Sequence, residues 1–286
     1  MSKRLRTPLL LLALFLAAWL PRAVALEQTV TTDERKWLAR SANFFHAVSH
    51  GDWANTFQRE HPGVTVMWAG TLALLWQYPT YPTEAPGQFG WDREYIEAWL
   101  IDHTDHTPLD LLAAGRRVVA LLISLAIALG YLPLRRLLGA PLAAAATLFV
   151  AWDPFAVAMS QQLHPDGFVS ALTFLALLLF LTWLYAGQHR RDLVMAGVVM
   201  GLAWLTKTPA IFLVPTGAAL AGFALLCPSA LAHRPSSIVH RPSSTLLGFV
   251  AWGIIATLTF VALWPAMWVD PIGSLLKMPA ELGAYL

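Results

Sequence analysis

The stretch RRVVALLISLAIALGYLPLRR, residues 116–136, decides the fold class. Residues 118–134 carry no charge, and an arginine pair closes each end. A bilayer core is spanned by about 20 mostly apolar residues of helix. In lipid, backbone groups must bond within their own segment, so the stretch predicts a membrane-spanning helix. Working outward, six more segments read the same way. Residues 7–25 precede it. Residues 141–161 (interrupted by Asp153-Pro154), 168–186, 193–205, 210–227 (with Pro215 inside) and 246–264 follow it. The predicted fold is an all-α polytopic membrane protein, with about seven transmembrane helices and a large first loop on one side.

Composition agrees. The chain of 286 residues is 57% hydrophobic and 13% charged, where soluble domains carry about 25% charged residues. Thirteen tryptophans suit the water–lipid boundary. A net charge of +2 gives nucleic-acid binding no electrostatic basis. The single cysteine, Cys227, excludes an intrachain disulfide and any cysteine-based metal site.

Positive charge in short loops orients such a chain. With Lys3, Arg4 and Arg6 in the cytoplasm, alternation also places Arg135, Arg136, Arg190, Arg191, Arg234 and Arg241 inside, accompanied by one acid, Asp192. Arg116-Arg117 is the one pair that argues against this orientation. The expected localisation is the plasma membrane, multi-pass, with a cytoplasmic N-terminus and an extracytoplasmic active face. Residues 1–26 form the first span; their basic start, leucine run and Ala23-Val24-Ala25 also fit a signal peptide. Either reading leaves residues 27–115 outside. Residues 116–286 form the helix bundle, with a cytoplasmic loop at 228–245 expected to be disordered. That loop repeats His-Arg-Pro-Ser-Ser at 233–237 and 240–244.

The outer segment 27–115 holds twelve acids and five bases. Residues 33–49 predict an amphipathic helix, with Trp37, Ala39, Phe44, Phe45 and Val48 on its apolar side. Residues 91–101 predict a second. Residues 79–82 and Pro86-Gly87 read as loop.

Several polar residues near that outer face could carry chemistry. Asp33-Glu34 opens the segment. A carboxylate beside lipid can have a raised pKa and serve as a general base. The same pair also suits a helix N-terminus capped by Thr32. His61 precedes the turn Pro62-Gly63 and could bind a phosphate or hydroxyl, or simply be solvated. Asp166 lies in His164-Pro165-Asp166-Gly167, near Gln161, Gln162 and Asp153. Acids at a membrane boundary tend to face a cavity or partner, although Pro-Asp-Gly also makes turns unaided. Lys207, in Leu205-Thr206-Lys207-Thr208-Pro209, could neutralise a lipid phosphate or snorkel to water. Phosphate-cradling Gly-rich loops, zinc-type His pairs and Gly-x-Ser-x-Gly elbows are absent from the sequence. No cofactor is indicated, and a divalent metal, though possible, is not indicated either.

In order along the chain, these pieces resemble the GT-C glycosyltransferases, specifically the protein O-mannosyltransferase and lipid A aminoarabinose transferase group. The resemblance rests on Thr32-Asp33-Glu34-Arg35-Lys36, on Gly51-Asp52-Trp53, and on Arg117 with Arg135-Arg136-Leu137-Leu138-Gly139. Asp166 and the stretch 201–210, GLAWLTKTPA, complete it. It implies a polyprenyl-phosphate sugar as donor and an acceptor protein, lipid or glycan, with inversion at the anomeric carbon. It implies Asp33 as general base, with Glu34 and Asp166 positioning the acceptor and the base. Lys207, with Lys36, would stabilise the departing phosphate. Many members carry Glu-Lys-Pro-Pro where this chain has His61-Pro62-Gly63-Val64. Members typically have eleven or more spans, which implies that these seven form the N-terminal portion of a longer arrangement. A transporter is the main alternative, through midplane ionisable residues and broken helices; a membrane-bound binding protein is a third.

Overall fold

A computed structural model describes residues 3–28, 30–59, 61–90, 93–226 and 242–283. Cys227 and residues 228–241 of the expected cytoplasmic loop lie outside the described residues. The helices, in chain order, are α1 (Lys3–Arg22), α2 (Thr32–Ser49), α3 (Val64–Gln77), α4 (Tyr81–Glu84), α5 (Arg93–His103), α6 (Pro108–Leu138), α7 (Ala140–Ala151), α8 (Pro154–Ser160) and α9 (Pro165–Tyr185). They continue as α10 (Arg190–Thr206), α11 (Leu213–Leu226), α12 (Pro242–Leu263), α13 (Ala266–Val269) and α14 (Pro271–Gly283). Two short 3-10 turns, Ala54–Thr56 and Thr208–Phe212, accompany them, and no strand occurs among the described residues.

The chain is an all-α polytopic membrane protein. Pro108–Leu138, Pro165–Tyr185, Thr208–Leu226 and Ser243–Leu263 are each long and apolar enough to cross a bilayer. A fifth crossing is available if α7 and α8, bent by 60° at their break, count as one. The other two expected segments are also helical but shorter: Thr7–Arg22 is closed by Arg22, and α10 has 17 residues and opens on Arg190, Arg191 and Asp192.

Local chemistry accounts for the boundaries. Thr107 caps α6, its side chain accepting from the Asp110 N–H while Asp110 reaches back to Thr107. Pro108 at the first helical position costs no hydrogen bond. At the other end Gly139, with φ 87, stops the helix after Arg135 and Arg136. The expected interruption at Asp153-Pro154 is the break between α7 and α8. Asp153 caps α8 through the Ala156 N–H at 2.7 Å, and Arg22 donates to the freed Ala151 carbonyl at 2.6 Å. α10 lies very close to α12. A Cβ on Gly197 would come within 2.7 Å of Ile255, and one on Gly201 within 2.5 Å of the Ala256 carbonyl. Two small residues four apart are how membrane helices bring their backbones together.

The described residues of the segment 27–115 are more helical than expected. The apolar run at 64–76 is α3, and Tyr81–Glu84, within the expected loop at 79–82, forms one turn that admits Pro82 near its start. The predicted surface helices appear as α2 and α5. α2 and α3 do not stand apart from the bundle. Trp37, Phe44, Met67, Leu111, Leu163, Phe168, Leu205 and Trp264 belong to one buried core shared by the segment and one end of the bundle. Trp68 Nε1 donates to the Leu263 carbonyl at 2.9 Å, pinning α3 to the end of α12. At the opposite end, Arg136 pairs with Asp192 at 2.5 Å, and Arg135 donates to Thr7 Oγ1 at 3.1 Å.

Candidate active site

Asp33 and Glu34 are neighbours in sequence with opposite environments. They open α2, whose N-cap is Thr31, one residue earlier than the expected Thr32. One residue of helix rotates about 100°, so adjacent side chains leave on different faces. The Glu34 side chain turns inward and is 0% exposed. Arg116 meets it with two parallel bonds, Nε to Oε1 and Nη2 to Oε2, each 2.7 Å. The Leu163 N–H donates at 2.9 Å, and Thr31 adds its N–H at 3.1 Å and its hydroxyl at 3.0 Å. Arg116 uses its remaining nitrogen on the Leu26 carbonyl at 2.6 Å. Burial pushes the Glu34 carboxyl up, but the bonds from Arg116, Thr31 and Leu163 outweigh it and hold it below the usual carboxylate range. Glu34 therefore ties α1's exit, α2, α6 and the residue before the α9 turn into one node. With its oxygens engaged and no exposed surface, it has no direct route to a substrate.

Asp33 turns outward, 58% exposed, and accepts from Lys36 Nζ at 2.8 Å. That bond holds its carboxyl below the usual range, with weaker help from His164 and Arg40 and against slight desolvation. The upward shift expected beside lipid is therefore reversed, because a cation one turn away outweighs modest burial. Asp33 stays ionised throughout the neutral range. Removing Lys36 lets the Asp33 pKa rise toward its ordinary value, so in Lys36→Gln the acid limb of any activity that needs ionised Asp33 moves to higher pH. A pH–rate profile checks this; an unmoved limb means that another group limits the acid side.

The other site residues come from far along the chain. His164 caps α9, its Nδ1 accepting the Asp166 N–H at 3.4 Å. Burial lowers the His164 pKa, opposed by Asp166 and reinforced by Lys207, which favours the neutral ring. Asp166 Oδ1 accepts from Lys207 Nζ at 2.5 Å. Lys207 stands in extended backbone between α10 and the turn Thr208–Phe212, where Pro209 prevents the helix from continuing. The His61 turn grips the same break. The Gly63 N–H donates to the Thr206 carbonyl at 3.2 Å, Thr65 and Thr206 hydroxyls lie 2.8 Å apart, and His61 Nδ1 lies 3.3 Å from Thr208 Oγ1. Gly63 needs its left-handed φ of 58, and a Cβ there would fall 2.0 Å from the Trp37 ring. Trp37 is the hub. Its edge meets the His164 ring with centroids 6.3 Å apart, and Arg40 lies 4.5 Å above its face.

Asp33, Lys36, His164, Asp166, Lys207 and the His61 turn thus gather at one end of the bundle. Two hollows are lined in part by residues of this group or their close neighbours. A polar cleft of about 540 Å³ runs along α2 past Lys36, Arg40 and Asn43. An apolar groove of about 480 Å³ runs between α3, α6, α9 and α10. Its lining includes Thr65, Phe168 and Leu205, which flank the Asp166–Lys207 pair in sequence or bond beside it. Among the described residues, no group of three or more His, Cys, Asp or Glu could hold a metal ion.

A family model described as dolichyl-phosphate-mannose-protein mannosyltransferase matches residues 98–264, more than half of the chain. The chain belongs to this family. It is accordingly a membrane glycosyltransferase of mannosyltransferase-like character. No curated protein and no solved structure matches it. The match takes in Arg116, His164, Asp166 and Lys207; Asp33, Glu34, Lys36 and His61 precede it.

Sequence reading overlooked Arg116 and His164. Arg116 was legible in principle, since an arginine entering an apolar helix calls for a carboxylate partner. His164 sits in a stretch singled out for its acid alone. Nothing in the sequence shows that its ring contacts Asp166 and acts electrostatically on Asp33.

Proposed function

We propose that this mannosyltransferase-family chain moves a sugar from a polyprenyl phosphate to an acceptor hydroxyl, at the extracytoplasmic end of the bundle in the plasma membrane. The observation that carries the reading is the Asp166–Lys207 pair, close in sequence to Phe168 and Leu205 of an apolar groove, with Lys36, the partner of Asp33, lining a polar cleft. The isoprenoid chain occupies the groove, where a long flexible hydrocarbon buries its surface. The phosphate comes to the Lys207 ammonium, and the sugar projects toward Asp33 and His164. The acceptor enters through the cleft. Asp33 takes the acceptor's hydroxyl proton as the oxygen attacks the anomeric carbon. The bond from that carbon to the phosphate oxygen breaks, and its electrons leave with the polyprenyl phosphate. Attack opposite the leaving group inverts the centre.

Lys207 faces charge that grows on the leaving phosphate, so its attraction is strongest in the transition state. Asp166 holds both Lys207 and His164 in place. Glu34 acts through α2, fixing the helix that carries Asp33, and Lys36 keeps Asp33 ionised while its ammonium remains close to the phosphate. His61 supports Thr208 at the Lys207 break. The basic end of the bundle, with Arg135, Arg136, Arg190 and Arg191, fits the cytoplasmic side.

Transfer of label from polyprenyl-phosphate mannose to envelope acceptors tests this reading. Lys207→Gln is expected to slow transfer by about 10- to 100-fold at saturating donor, the scale of one lost charge-stabilising group. Equal rates in the wild type and the variant would remove the phosphate assignment, and absence of transfer from any polyprenyl-phosphate sugar would end the reading.

A further inference from the structure

α12, one of the helices long and apolar enough to cross a bilayer, ends at Leu263. The chain after it stays close to that end. Trp268 of α13 folds back on the last turn of α12, its Nε1 donating to the Val261 carbonyl at 2.8 Å. Val261 lies about 3 Å from the end of the helix along its axis. Tryptophan, with an apolar body and one polar N–H, suits the water–lipid boundary. Three residues take the chain from Trp268 to Pro271, where α14 begins, and three residues reach at most about 10 Å. α14 therefore starts at the boundary. It has 13 residues, about 20 Å of helix, too short to cross a hydrocarbon core of about 30 Å.

The two sides of α14 differ. Ser274 is buried, Met278 packs against the core shared with the segment 27–115, and Lys277 Nζ lies 5.6 Å from the Phe57 ring. Ile272, Leu275, Leu276 and Pro279 recur at i, i+3, i+4 and i+7, so they form one uncharged stripe, and all four are exposed. Trp268 and Val269 extend this surface, and the five large side chains from Trp268 to Leu276 are 49–71% exposed. A contiguous apolar surface of this kind calls for an apolar neighbour. The crossing helix α12 already has one: Val250, Ile254 and Leu258, spaced four apart, form an exposed apolar row that a bilayer covers. We infer that the same bilayer covers α14, which lies in the plane of the leaflet at this end of the bundle. Its stripe rests among the acyl chains, and Lys277 faces water. The ligand of this surface is phospholipid, and the inference does not depend on which residue acts as base. Trp53 lies 5.4 Å from the Trp268 ring, and Phe57 lines the polar cleft, so the in-plane helix seats one wall of that cleft on the membrane surface.

Depth measurements on the full chain in phosphatidylcholine vesicles test this. Cys227, the only cysteine, is replaced by serine, and a fluorescent thiol label is introduced in turn through Ile272→Cys, Leu276→Cys and Lys277→Cys. Two quenchers are compared, a nitroxide on the lipid acyl chain and iodide on both sides of the membrane. The nitroxide is expected to quench the first two labels at least about threefold more strongly than the third, and iodide to show the reverse order. Iodide quenching all three labels alike would put the stripe in water and overturn the proposal. Shielding of the first two from both quenchers would put protein against the stripe, a second copy or a further segment, and would overturn it as well. A label-free measurement guards against disturbance by the dye. Ile272→Asp combined with Leu276→Asp is expected to speed amide hydrogen exchange across α14 in vesicles by at least about tenfold, because charge on the stripe draws the helix out of lipid. Unchanged exchange across α14 in that variant would also overturn the proposal.

Discussion

Replacing Asp33 by asparagine is expected to lower sugar transfer by about a thousandfold, within the range that a positioned general base contributes. The substitution keeps the shape and an oxygen for Lys36 Nζ, so α2 and the bond at 2.8 Å have no reason to rearrange. What is lost is the capacity to take a proton. Asp33 is more than half exposed, so folding does not depend on its charge. The unfolding midpoint should therefore match that of the wild type, which separates a chemical defect from a structural one. Asp33→Glu recovers part of the rate, and its shortfall measures how tightly the hydroxyl is positioned. A Asp33→Asn variant that transfers at the wild-type rate would move the base elsewhere, with His164 the next group to test because its ring is held largely neutral.

The second large effect is on stability and comes from the adjacent residue. Glu34→Ala or Arg116→Ala should each cost about 3–5 kcal/mol, because the surviving partner is left as an unpaired buried charge. Both side chains are almost sealed, at 0% and 3% exposure. The double variant should lose less than the sum, since removing both charges removes the unpaired one. Replacing both with leucine should recover much of the deficit. Denaturant titration of the purified chain measures all four. The pH dependence has a definite sign. The Glu34 carboxyl is held below its ordinary value of 4.5, so its contribution is complete above that value and is lost as pH falls through the lower, folded pKa. Additive losses in the double variant would show that the two residues stabilise the fold independently.

The fold was legible because lipid imposes a rule that composition cannot disguise: span-length apolar runs close their backbone bonds in helices, and the described residues of the expected segments are largely helical. The outer segment was less legible. α3 is apolar on nearly every side, so its run showed no periodicity to separate helix from loop, and its identity comes from packing on α2 and α6. The candidate site divides in a similar way. Asp166 and Lys207 were singled out as isolated charges beside apolar runs, and Asp33 as half of an acidic pair that opens the segment after α1. Which carboxylate meets Arg116 was hidden because pairing across 82 residues leaves no local trace. The pKa of Asp33 was misjudged because proximity to lipid says nothing about an ammonium one turn away on the same helix.

The Glu34 node also imposes an order on biosynthesis. Its ligands are spread from Leu26 to Leu163, so the helix bearing Asp33 leaves the ribosome well before the arginine and the amide that immobilise it. Phe89, Glu97 and Arg116 emerge in turn to hold α2, and the Leu163 amide completes the set about 130 residues after Glu34. A nascent chain arrested before Arg116 has emerged should present α2 to proteases more readily than one arrested after Leu163 has emerged.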